Sequence, residues 1–170
     1  MGAQGDEAPV TEGRKLFKVA FDLPEEASDW PPVSVERLWG EKTDVRFEIR
    51  VVNTPFFVRG IAYGDLIRVV PDHDRRELVF DSFTAESGHS TIRVVVMDAG
   101  ARGDIEAVIL AAGCSWELGQ SDSLLAVDIP LAVDYKILRQ RLLEMKEAGR
   151  LGLQESAIST VHRGQLPSFP

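Results

Sequence analysis

The stretch TIRVVVMDAGARGDIEAVILAAGC, residues 91–114, changes its hydrophobic period half-way. Residues 91–98 are rich in β-branched side chains and read as a strand. From Asp104 the apolar residues fall at helical spacing: Ile105, Val108, Ile109 and Ala112 share one face. Asp104 is placed as the N-cap, and Gly113 stands where a C-cap belongs. A strand leading straight into a helix is the grammar of a mixed α/β unit, so the fold turns on what lies to either side.

Downstream the same grammar repeats. LLAVDIP (124–130) is an apolar strand. DYKILRQRLLEMKEAG (134–149) has Asp134 as cap, Leu138, Leu142 and Met145 on one stripe, and Gly149 at the end. LQESAISTV (153–161) reads as a last strand, and 163–170 as a loose tail. Residues 91–162 therefore form a β-α-β-α-β half, with helices on one face of a sheet in the ferredoxin-like manner.

Upstream there is almost no helix signal. RKLFKVAFDL (14–23) puts Phe17, Val19 and Phe21 on one face at period two. VSVERLWG (33–40) is a second strand. VRFEIRVV (45–52) alternates Val45, Phe47, Ile49 and Val51 inward with Arg46, Glu48 and Arg50 outward, the pattern of an antiparallel strand with one wet face. Turns at Asn53–Pro55, Gly64–Asp65 and DHDRRE (72–77) separate further strands, ending with LVFDSFTAE (78–86). Strands at this spacing predict a small barrel or curled sheet over 14–90. Residues 1–13 are small and acidic and are expected to be disordered. The fold class is α+β, with the β-rich half packed against the ferredoxin-like half.

The totals bound the function. A net charge of −8 on 170 residues argues against broad contact with nucleic-acid phosphates or anionic lipid. No apolar run approaches the roughly 18–20 residues that span a bilayer, and the first residues lack a signal-peptide pattern. The single cysteine, Cys114, excludes an internal disulfide and fits a cytoplasmic protein.

ESGHST (86–91) holds a carboxylate, hydroxyls and a histidine in six positions. Adjacent residues on a turn rarely adopt triad geometry, and the G-x-S-x-G elbow is absent. A tight corner with Gly88 at positive φ is the leading reading; His89 is the weak catalytic candidate, helped by Asp65 or Glu86. The histidines His73, His89 and His162 lie far apart and no paired-cysteine motif exists, so no metal or cofactor is expected. Cys114, past a helix C-terminus, reads as a packed, unreactive thiol. TPFFVRGIAYGD (54–65) sets Phe57 and Tyr63 around Arg59, a combination enriched at binding hot spots.

The motifs NTPFFVRGIAYGDLIRV, ESGHSTIRV, AAGCSWE and LLAVDIP, in this order, resemble the bacterial family of domain of unknown function 4265 over roughly residues 14–160. The resemblance marks Pro55, Phe56, Gly60, Tyr63, Gly64 and Asp65, then Ser87 to Thr91, Gly113 and Trp116; it implies no activity. The second half also resembles, in topology, the ferredoxin-like domain of bacterial ribonuclease-inhibitor regulators.

Two functions are weighed. The favoured one is a non-enzymatic protein-binding or regulatory module, inhibitor- or immunity-like, binding an unidentified protein through Phe57, Arg59, Tyr63 and His89. The alternative is a small enzyme or small-ligand-binding protein with a pocket between the halves involving His89. The chain is expected to be a monomer or, through an edge strand, a homodimer.

Overall fold

The structure is a computed structural model that describes Ala8, residues 14–27 and residues 29–168. The expected disorder of 1–13 thus falls, apart from Ala8, outside the described residues. The chain is α+β, with a five-stranded barrel and a four-stranded antiparallel sheet.

The barrel uses β1 (Leu16–Asp22), β2 (Val35–Lys42), β3 (Glu48–Val51), β4 (Leu66–Asp72) and β5 (Glu77–Ala85). Neighbours in sequence pair antiparallel, and a short parallel seam closes β5 onto β1 through Val19 and Ala20 opposite Leu78 and Val79. The seam pairs two residues of each strand, which closes the barrel there. Val19, Phe21, Leu38, Ile49, Ile67 and Val69 fill the interior. Gly40 is required on β2, because a Cβ there would collide with Ile49 Cγ2.

Only half of the alternating stretch 45–52 is strand. Val45 and Phe47 are exposed, and Phe47 has φ +60°. Thr43 decides this: its hydroxyl accepts the Val45 N–H and donates to Glu48 Oε1, folding 43–47 into the β2–β3 turn. Local hydroxyl bonding overrides the apolar period there.

The second half runs β6 (Ser90–Val96), α1 (Arg102–Ala111), β7 (Ser115–Leu118), β8 (Leu124–Ile129), α2 (Tyr135–Glu147), β9 (Leu151–Ala157) and α3 (Thr160–Gly164). The expected β-α-β-α-β order lacked β7, whose four residues are too short to show a period. The sheet order is β7-β8-β6-β9, all antiparallel. Asp104 is not the N-cap: Asp98 caps a 3-10 turn at Ala99–Ala101 that runs into α1, and Asp104 pairs with Arg150 instead. Asp134 does cap α2 by accepting the Ile137 N–H. The last strand stops at Ala157, because Ser159 caps α3 and turns the chain. Gln165 then binds back to Tyr135 and Val133, so the tail begins later than residue 163.

Both faces of this sheet are covered. Ile92, Val94, Leu125, Val127 and Ile129 face Ile105, Ile109, Leu138, Leu142 and Met145 of the helices. The alternate positions Thr91, Arg93, Leu124, Ala126 and Asp128 face the barrel. All six residues of β8 are buried, which explains its near-continuous apolar run.

Candidate functional site

The junction between barrel and sheet is built on buried charge. Arg93, only 2% exposed, donates from Nη1 to Gln154 Oε1 at 2.6 Å and from Nη2 to the Val58 carbonyl and Ser156 Oγ, both at 3.0 Å. Burial lowers its pKa, and the nearby Glu36 carboxylate opposes that. Glu36 on β2 accepts three successive backbone N–H groups, Phe56 at 2.7 Å, Phe57 at 2.9 Å and Val58 at 2.8 Å. The loop that carries Val58 is thus clamped from the barrel side, and its carbonyl is presented to Arg93 on the sheet side. The Gly60 N–H adds a bond to the Ser156 carbonyl at 3.0 Å.

Beside this junction lies a cleft of about 430 Å³. The barrel contributes Gly60, Ala62 and Asp65; His89 comes from the connection into β6; Ser156, Ala157, Ile158 and Ser159 follow along and after β9; Arg163 and Leu166 close the far side. His89 and Asp65, the two polar groups linked by sequence reasoning, line one cleft. They do not touch as a pair. Asp65 is 3% exposed, and its two oxygens accept the Ala62 and Ser87 N–H groups, both at 2.8 Å. Burial pushes its carboxyl above the usual range, and these two N–H bonds pull it back. It is a turn clamp. Glu86 turns away and receives the Thr160 N–H at the start of α3.

The carboxylate that meets His89 is Asp128. The His89 Nδ1 to Asp128 Oδ1 distance is 2.8 Å. Burial pushes Asp128 up from the carboxylate range, and the His89 hydrogen bond opposes that shift. With Asp128 ionised, Nδ1 carries the proton, a tautomer assigned from this hydrogen bond. Nε2 then bears a lone pair. Among the described residues it has no protein partner, and the His89 side chain is 24% exposed. The Tyr63 ring packs at 5.3 Å from the imidazole.

Among the described residues, the serine hydroxyls around the cleft are each engaged elsewhere. Ser87 Oγ donates to the Tyr63 carbonyl at 2.6 Å and accepts the His89 N–H. Ser90 Oγ is 2.7 Å from Nδ1 of His162, a fully buried ring whose pKa burial lowers. Ser156 Oγ donates to the Val58 carbonyl, and Ser159 Oγ caps α3. Residues 86–89 of ESGHST form a corner leading into β6, and its hydroxyls are bonded within the fold. Cys114 is buried and pushed up to about 12, first by burial and then by the Asp128 charge. Among the described residues no group of three His, Cys, Asp or Glu could hold a metal ion.

The other candidate set has a different environment. Arg59 makes a two-point ion pair with Glu26, at 2.5 and 2.9 Å, and Phe57 packs edge-on against Trp30 at 5.3 Å. Tyr63 stays exposed, but beside His89 rather than beside Arg59.

A family model described as Domain of unknown function (DUF4265) matches residues 36–153. The chain belongs to the DUF4265 family. The match is narrower than 14–160: it omits β1, the end of β9 and α3, so the cleft wall from Glu155 onward, Arg163 included, lies outside the family model. A solved structure titled a hypothetical protein from Neisseria gonorrhoeae is similar at a TM-score of 0.71 and 21% identity, covering 88% of this chain and 99% of that one. At that identity the likeness concerns the fold of this DUF4265 member alone. Comparison with curated proteins finds no match. No helix among the described residues is long and apolar enough to cross a membrane.

Sequence reasoning missed Asp128, Glu36 and Arg163. Asp128 had a signal: a lone carboxylate inside the apolar LLAVDIP strand must have a partner or shift its pKa. Arg93 inside TIRVVV carried the same kind of signal. Glu36 carried none, because its partners are backbone groups some 20 residues away.

Proposed function

We propose that the protein binds a small molecule in the cleft between barrel and sheet, with His89 as the contact that exchanges a proton with it. The carrying observation is the Asp128–His89 pair, which fixes one imidazole nitrogen in the interior and leaves the other unpartnered at the cleft wall. A histidine oriented in this way is the usual means of coupling a site to proton transfer. Binding is favoured over covalent catalysis because every serine around the cleft is already hydrogen-bonded to the fold. It is favoured over protein capture because Arg59 is held by Glu26 and Phe57 by Trp30.

The cleft also has the location expected of ligand sites, at the seam between two packed units. The seam is read here as joining a barrel to a ferredoxin-like unit, since β6-α1-β7-β8-α2-β9 follows the split β-α-β plan. The test is ligand-observed NMR with a library of small metabolites, run on wild type, His89→Gln and Asp128→Asn. Binders whose saturation transfer fades in both variants are expected. A library in which nothing binds the folded wild type refutes the reading.

A further inference from the structure

The polar groups of the cleft divide into those committed to the fold and those still open. Both oxygens of Asp65 are taken by backbone N–H groups. Glu155 holds the Arg139 guanidinium and the Tyr135 hydroxyl on Oε1, each at 2.6 Å. Asp65 therefore has donors on both oxygens and Glu155 on one. Arg163 is different: the one hydrogen bond of its guanidinium among the described residues runs from Nη2 to the Ile158 carbonyl at 3.2 Å, and the residue is exposed. His89 Nε2 is the second uncommitted group. The apolar part of a mixed wall is formed by Ala62, Ala157, Ile158 and Leu166.

A guanidinium anchored at one nitrogen and open at the others matches a planar carboxylate. The His89 imidazole lines the same cleft, and in its doubly protonated form Nε2–H can donate to the anion. We propose that the ligand is a small organic acid, its carboxylate received by Arg163 and His89 and its apolar body laid on Ala62, Ala157, Ile158 and Leu166. The net charge of −8 means that the surface field repels anions, so retention of an acid depends on the local Arg163 contact. This inference rests on the cleft being a ligand site, and the experiment separates the two.

Wild type and Arg163→Gln are titrated by NMR with hexanoate, hexanamide, 1-hexanol and inorganic phosphate. Hexanoate is expected to bind wild type best, and Arg163→Gln to weaken hexanoate by about tenfold while leaving hexanamide and 1-hexanol unchanged. Leu166→Ser is expected to weaken all three hexyl compounds together. Equal binding of acid, amide and alcohol, with no effect of Arg163→Gln, overturns the organic-acid assignment and leaves the cleft reading standing. Phosphate binding as tightly as hexanoate also overturns it, because the apolar wall would then contribute nothing. If no member of the series binds while a neutral compound from the metabolite library does, the acid assignment is wrong. If nothing binds from either set, the cleft reading itself falls.

Discussion

Glu36→Ala removes the acceptor for three consecutive backbone N–H groups at once. The bonds are 2.7, 2.9 and 2.8 Å long and go to Phe56, Phe57 and Val58. Hydrogen bonds to a charged group contribute roughly 1.5–3 kcal/mol each, but Glu36 is half-buried and water will satisfy part of what is lost. Taking about 1 kcal/mol per bond after that discount gives a loss of about 3 kcal/mol. For a chain of this size that corresponds to a fall in Tm of roughly 6–12 °C. The damage is local in origin. The Val58 carbonyl is an acceptor for Arg93, so a loosened loop also unseats the buried guanidinium from the barrel. Urea denaturation gives the total, and hydrogen exchange gives its location: the amides of 56–58 should lose protection well before those of β8. Arg93→Met in the Glu36→Ala background should cost less than it does in wild type, since the two charges and the loop they share act as one unit. A loss under about 1 kcal/mol, or exchange that rises evenly across the chain, would refute the clamp.

Three further outcomes are expected. Glu117 is half-buried near the Glu36 and Asp128 charges, and its burial raises its pKa, so its folded form holds a proton more tightly than its unfolded form. Its stabilising effect is complete below the unfolded value of 4.5 and is lost as pH rises through the folded value; Glu117→Gln should therefore raise Tm at pH 7–8 and lose that advantage near pH 4, whereas a constant gain at all pH values would show that titration is not the cause. Gly40→Ala should destabilise by about 1–3 kcal/mol through the Ile49 Cγ2 clash, and Ile49→Ala should cost less in that background than alone; additive losses in urea would refute the contact. Cys114, pushed up to about 12 and buried, should resist a disulfide reagent at pH 8 until urea unfolds the chain; rapid labelling of the native protein would contradict its placement.

Period and punctuation carried the architecture. Asp134, Leu138, Leu142, Met145 and Gly149 specify α2 from cap to end, because a helix is set by contacts three and four residues apart that are all present in the local sequence. The change from period two to helical spacing within 91–114 divides the β-rich half from the mixed half for the same reason. The four-residue β7 was not legible, since four residues are too few to show alternation. The β2–β3 turn was misread because a single hydroxyl, on Thr43, outweighs the apolar order of Val45 and Phe47. The site divides in the same way. His89 stands out by residue type, and its place at a turn follows from Gly88. Its partner had to come from β8, 39 residues away, and its neighbours in the cleft from β9 and α3. The sequence by itself determined most of the strands and the two long helices, through short-range pattern. Which carboxylate orients His89, which carboxylate holds the 56–58 loop and which arginine faces the cleft were decided only by tertiary packing, because those pairs depend on the register and layering of distant strands.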